Sequence, residues 1–214
     1  MKKMFTVLFI VLSLVACKNN KESNKNETES QQTRQTSVEK EKPKNLNIDQ
    51  QTYIMKGKLI AKNTFQTFKG KIENIGSKQG LPATVSFCHE NAYKIADSIG
   101  KIHNVVIKRT SQKLRNPENK PNKDQQAIID KYLKQQENNE QMKPIVMTDE
   151  EGYVHFYAPI KLKKACLQCH GQPGKEIHDE VYKVIKAKYP NDQATGYKEG
   201  DLRAIWDIKF LDKK

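Results

Sequence analysis

The chain has 214 residues and a formal net charge of +13, and it carries four cysteines. That length suits one compact domain with flanking segments. The cysteines are too few and too unevenly placed for a disulfide framework. The basic excess does not mark a nucleic-acid binder, because the lysines are scattered rather than clustered with aromatics; it leaves attraction to anionic lipid or to an acidic redox partner open.

The chain starts Met1-Lys2-Lys3 and then runs from Met4 to Leu12 with Thr6 as the one polar residue. Small residues follow, in Ser13-Leu14-Val15-Ala16-Cys17. A basic start and a short apolar stretch describe a secretory signal peptide over residues 1–16. The stretch is too short for a bilayer span, which needs roughly 20 apolar residues. Leu14-Val15-Ala16-Cys17 resembles the bacterial lipobox, which implies cleavage before Cys17 and acylation of that residue. Two or more acyl chains hold a protein firmly to a membrane, so the membrane is one expected partner. Lys18 after the lipidated cysteine resembles lipoproteins sorted to an outer membrane. The expected location is the cell envelope, facing periplasm or cell surface.

Residues 17–50 are dominated by Asn, Lys, Glu, Ser, Gln and Thr. Such a stretch cannot offset its own ordering entropy and reads as a disordered tether. The domain is then residues 51–214.

Within it, Ile54, Leu59, Ile60, Phe65, Phe68 and Ile72 recur at helical spacing and predict a helix over 53–75. Gly76 and Gly80 are expected to break it. Pro82 suits the start of a second helix, which runs to about Ile99 and stops at Gly100. Its apolar stripe is Val85, Cys88, Ala92, Ile95 and Ile99, so Cys88 faces inward and His89 is rotated away. Val105-Val106-Ile107 predicts a strand, and Asn116-Pro117 with Lys120-Pro121 a loop. A helix is expected over 125–136, with Ile128, Ile129, Tyr132 and Leu133 inward. Strands at 144–148 and 153–158 flank a hairpin turn at Asp149–Gly152. A further helix at 177–188, a loop at 189–200 and a closing strand at 202–210 with Trp206 complete the chain. Helices around a small, mainly antiparallel sheet make the fold α+β, with long N-terminal helices.

The chemistry is concentrated in Cys166-Leu167-Gln168-Cys169-His170, the attachment pattern of a c-type haem. Three residues apart on a helical turn, the two thiols project on one side. They can reach both vinyl groups of one porphyrin edge, and His170 then offers its imidazole to the iron. A thioredoxin-like dithiol would sit near a βαβ pattern, which is lacking here. A zinc site would need a second ligand pair at similar spacing. A zinc or dithiol protein using Cys166 and Cys169 is therefore the competing reading.

Several ordered pieces of the chain share one resemblance. They are Cys88 on its helix, Lys108-Arg109-Thr110-Ser111, Leu114-Arg115-Asn116-Pro117-Glu118-Asn119 and Ala158-Pro159-Ile160. With the Cys-Leu-Gln-Cys-His-Gly segment and Tyr189-Pro190-Asn191-Asp192-Gln193-Ala194-Thr195-Gly196-Tyr197, they span about Gly57 to Phe210. The sequence resembles a bacterial family of single-haem c-type domains with a PAS-like sensory fold. The resemblance implies haem c, with its iron held by His170 and by the helix cysteine, here Cys88. It departs from the family where Cys88 is followed by His89-Glu90-Asn91-Ala92 instead of an early Ala-Pro, which leaves His89 as an alternative axial ligand.

On chemistry alone the sixth-ligand candidates also include His103, His155, His178, Met55, Met142 and Met147. His103 falls at a helix–strand junction, His155 on the expected exposed face of a strand, and His178 near a helix start. Arg109 and Arg115 bracket the strand-to-loop segment and are candidate partners for haem propionates. A thiolate ligand lowers the reduction potential and methionine raises it. No acid–base residue beside an open site announces an enzyme. The expected roles are electron transfer or redox and small-ligand sensing, with a redox or signalling protein as partner.

Overall fold

The computed structural model describes residues 48–212. The expected signal peptide, Cys17 and the expected tether up to residue 47 lie outside the described residues. The elements in chain order are α1 (Ile48–His103), β1 (Val105–Thr110), a 3-10 turn (Pro117–Asn119) and α2 (Lys123–Glu137). They continue with β2 (Ile145–Thr148), β3 (Val154–Lys161), a second 3-10 turn (Lys164–Cys166), α3 (Leu167–His170), α4 (Asp179–Lys188) and β4 (Leu202–Phe210).

α1 is two helical arms meeting at Gly80, whose φ of 83° and ψ of 171° are non-helical. Only glycine reaches that backbone region without strain. Pro82 then sits in the first turn of the second arm, where its missing N–H costs nothing. The two arms fold back on one another. Ile60 and Ala61 of the first and Ala96 of the second share one cluster with Val105, Ile107, Val154, Phe156, Trp206, Ile208 and Phe210.

Three boundaries differ from expectation. Residues 48–50, assigned to the tether, are already helical. Gly76 and Gly100 do not break their helices. Gly100 marks a close approach: a Cβ there would lie 2.5 Å from the carbonyl oxygen of Val105. The second arm runs on to His103 and is closed by Asn104 at φ 52°, an asparagine filling the left-handed position that glycine often takes.

The sheet has the order β1-β4-β3-β2, antiparallel throughout. β4 is therefore central, and its burial is nearly continuous instead of alternating, as befits a strand covered on both faces. One face packs on α1. On the other, Tyr157, Leu202 and Ile205 meet Ile128, Ile129 and Tyr132 of α2. α2 starts two residues earlier than periodicity suggested because Asn122 and Gln125 form a reciprocal capping box. β3 runs on through Pro159 to Lys161; β2 pairs only as far as Tyr157, so Pro159 withdraws no ladder bond on that side.

This is the α+β architecture that the sequence predicts, helices flanking a four-stranded antiparallel sheet, consistent with a PAS-like fold. A third cluster positions the site: Val85 of α1 packs with Ile177, Val181, Ile185 and Tyr189, and Leu81 and Cys169 border it.

Candidate functional site

Cys166 ends the second 3-10 turn, and α3 carries Cys169 and His170 on a single helical turn. The Cys166 Sγ accepts the Lys163 N–H at 3.4 Å. Cys169 lies deeper. Burial pushes its thiol up to about 11, against the opposing charge of Arg115.

His170 is held in one tautomer. Its Nδ1 lies 2.8 Å from the carbonyl oxygen of Ala194. A carbonyl only accepts, so Nδ1 carries the proton and Nε2 keeps its lone pair. The Nε of Arg203 stands 3.3 Å from the same Nδ1. Two donors cannot bond each other, so Arg203 acts there as a nearby charge. Burial, then the charges of Arg203 and Arg115, hold the imidazole well below its ordinary pKa. A neutral imidazole whose other nitrogen donates to a backbone carbonyl is the form in which histidine ligates metals.

The loop from Tyr189 to Gly200 cradles this turn. Gly196 N–H donates to Gly171 O at 2.7 Å and Tyr197 N–H to His170 O at 3.0 Å. Gln193 N–H donates to Leu114 O at 2.7 Å, tying in the segment after β1. Arg115 closes the clamp. Its Nε and Nη2 donate to the two oxygens of Asp192 at 3.1 and 3.0 Å, and Nη2 also reaches Cys169 O at 2.7 Å. Both side chains are buried, 12% and 1% exposed. Two donor groups of Arg115, an expected propionate partner, are thus matched bidentately by Asp192. Asp192, Ala194, Tyr197 and Arg203 were not singled out from sequence. Asp192 could have been found as the acid inside a conspicuous run. Ala194 acts through its backbone and leaves no side-chain signal.

Cys88 lies on the second arm of α1, one turn beyond Val85 and half-buried. Burial raises its thiol, opposed by the charges of Arg109 and Arg115. Arg109, on β1, lies with its guanidinium carbon 4.5 Å from the Phe68 ring centre and 5.9 Å from that of Trp206. No carboxylate pairs with it among the described residues. Burial lowers it, and Cys88 is the foremost group acting against that. Arg109 and Arg115 act electrostatically on both Cys88 and His170.

His89 is exposed and sets its ring edge-on to Tyr189 at 4.9 Å. His103 and His178 are exposed. Met55 and Met147 are exposed, and Met142 packs beside the α2 cluster. His155 corrects the sequence reading. It is not on an open face; it is half-buried between Asp207, 2.7 Å from Nδ1, and Asp149, 3.1 Å from Nε2. Gln125 of α2 donates to the same Asp207 at 2.7 Å, so α2 covers the face that strand alternation left open.

The donor set meets what a covalent haem requires. Two thiols lie on one turn, a neutral imidazole has a free Nε2, a third thiol comes from a distant helix, and Arg109 lacks a counter-charge. Arg109, Arg115 and Arg203 all bear on His170, and the one carboxylate clamped among them, Asp192, is engaged by Arg115. Such an excess of positive charge suits a group bearing carboxylates. Among the described residues no cluster of three or more His, Cys, Asp or Glu is placed to hold a bare metal ion, and a structural zinc site needs four ligands.

No curated protein matches the chain. The crystal structure of the cyanobacterial heme-protein Tll0287 matches it with a TM-score of 0.55 and 24% identity, over 79% of this chain and 99% of that one. That likeness shows the shared fold. The Tll0287-like family (Tll0287) matches residues 16–210, nearly the whole chain, and the chain belongs to that family.

Proposed function

We infer that this chain is a redox haem protein of the cell envelope, an exported lipoprotein holding one covalent c-type haem and serving electron transfer or redox sensing. The observation that carries the reading is the state of His170. It follows two cysteines on one turn, its proton is fixed on Nδ1 by Ala194, and its Nε2 is free. Membership of the Tll0287-like family and the fold shared with a cyanobacterial heme-protein support it.

In this reading Cys166 and Cys169 would hold the haem through thioethers, His170 and Cys88 would ligate its iron, and Arg109 would pair with a propionate. Bound there, the haem supplies one-electron chemistry at its iron. The chain supplies the rest. Ala194 orients the imidazole, and the Arg115–Asp192 pair fixes the turn that carries both the thiols and the histidine. Arg109 favours the thiolate form of Cys88 over the thiol, and a thiolate holds the potential low. Residues 1–16 direct export, Cys17 bears the lipid, and the tether lets residues 51–214 reach a redox or signalling partner from the membrane, by our reading the outer one.

The test is the absorption spectrum of protein made with a c-type haem maturation system, oxidised and reduced, followed by a pyridine haemochrome after acid–acetone extraction. A sharp reduced α-band that survives extraction is the expected result. Loss of all haem, with zinc or reversible dithiol oxidation at Cys166 and Cys169, would overturn the reading in favour of its competitor.

A further inference from the structure

Behind His170, on its Nδ1 side, lies a cavity of about 70 Å³. Ser111, Lys113, Tyr197 and Arg203 build its polar end, and Ile129 and Leu133 of α2 its apolar wall. By this measure about 10–15 Å³ holds one water, so the space admits a handful of heavy atoms. It is distinct from the haem site, because Arg203 contacts the Nδ1 edge of the ring and the free nitrogen is Nε2.

Two cations converge on one ring in this cavity. Lys113 Nζ stands 4.4 Å and the Arg203 guanidinium carbon 5.7 Å from the Tyr197 ring centre. Their hydrogen-bond acceptors are all neutral. Arg203 Nη1 donates to Ser111 Oγ at 2.7 Å and to Lys113 O at 3.2 Å, and Lys113 Nζ donates to Thr195 O. Asp192, the acid that acts on Arg203, already gives both oxygens to Arg115. Partly buried cations without a counter-charge are costly. An anion between Lys113 and Arg203 would relieve that cost, and the apolar wall selects one with a short hydrocarbon tail.

We propose that this cavity binds a small aliphatic monocarboxylate, its carboxylate between Lys113 and Arg203 and its tail against Ile129 and Leu133. Because Arg203 Nε lies 3.3 Å from His170 Nδ1, neutralising Arg203 removes positive charge from beside the imidazole. Occupancy is thereby felt at the haem, a consequence that rests on the haem reading above. A small-molecule signal would in this way enter on the sheet side of His170 and be read out as a change of redox poise.

The test is isothermal titration calorimetry on the haem-loaded protein with sodium acetate, propanoate, butanoate and hexanoate, against sodium chloride at equal ionic strength. Saturable heat from propanoate or butanoate, and none from hexanoate, is expected. Lys113→Met should weaken binding roughly tenfold, as loss of one charge-assisted hydrogen bond implies, and Leu133→Trp should fill the space and abolish it. Heats no larger than those of chloride, or equal affinity in Lys113→Met, would overturn the site. The haem potential, measured with and without butanoate, should shift in the parent and not in Lys113→Met. Binding without that shift overturns the link to His170 alone. The calorimetry decides the site even if the purified protein carries no haem, so the two readings fail separately.

Discussion

The imidazole Nδ1 of His170 lies 2.8 Å from the carbonyl oxygen of Ala194, 24 positions further along the chain. That bond joins the most local feature of the sequence, a five-residue motif, to a loop whose importance is entirely three-dimensional. The loop decides which nitrogen of the histidine is available, and so what the motif can do.

The clamp under that loop should be fragile to the loss of one charge. Asp192→Asn leaves the buried Arg115 guanidinium unmatched, and removing one partner of a buried pair costs about 3–5 kcal/mol. Urea denaturation of the haem-loaded protein should show a midpoint lowered accordingly, with the slope unchanged. A midpoint within error of the parent would mean that the Cys169 and Ala194 carbonyls alone hold Arg115.

Replacing the proposed sixth ligand tests the distal side. Cys88→Ala should shift the ferric absorption spectrum and raise the reduction potential, because a thiolate donor is lost. His89→Ala should leave both unchanged, since that ring packs on Tyr189 at the surface. The reverse pattern would move axial ligation one residue along the helix.

The pH dependence of stability should carry the signature of His155. Burial disfavours its charged form, but the hydrogen bonds and charges of Asp207 and Asp149 outweigh this and raise it from 6.5. A raised histidine contributes stability that is fully present below 6.5 and is lost as pH rises through the folded value. Asp149 works at the other end. Burial raises it, but Tyr153 N–H, Lys209 and His155 outweigh that and lower it, so its contribution is present above the ordinary carboxylate range and is lost in acid. Thermal melts from pH 6 to 9 should show the parent losing stability that His155→Asn does not lose. Parallel curves would remove His155 from the account.

Steric fit between α1 and the sheet gives a prediction independent of any cofactor. A Cβ at Gly57 would lie 2.2 Å from the Phe156 ring. Gly57→Ala should destabilise by about 1–3 kcal/mol through overpacking, despite alanine's better helix propensity. A stabilised variant would show that the helix can lift away from β3 freely.

What was readable in the sequence was local. β4 was placed to the residue because Gly200 and a run through Ile205, Trp206 and Ile208 delimit it, and Cys88 fell on the inward stripe as its phase predicted. Gly76 and Gly100 misled because a helix tolerates glycine when packing holds it. His155 misled for a different reason. Alternation says which strand residues share a face, but not that Gln125 of a separate helix will cover that face over the buried Asp207 of β4. The cradle around His170 was the least readable part, being built from backbone carbonyls and from an arginine and an aspartate 77 positions apart. The portion before residue 48 remains an expectation from its composition.

One of the two inner strands of the sheet, β4, is also the last of the described elements. β4 hydrogen-bonds both β1 and β3, and those two share no strand pairing of their own. Synthesis proceeds from the N-terminus, at about 5–20 residues per second on the ribosome, so of the four strands this one is made last. Until Leu202–Phe210 emerges, the β2–β3 hairpin and β1 can meet only through α1, and the long-range pairing that unites them carries a high loop-closure cost. A chain with this topology cannot seal its core prematurely. Cys166 and Cys169 both precede β4, so the pair is synthesised before the strand that completes the sheet.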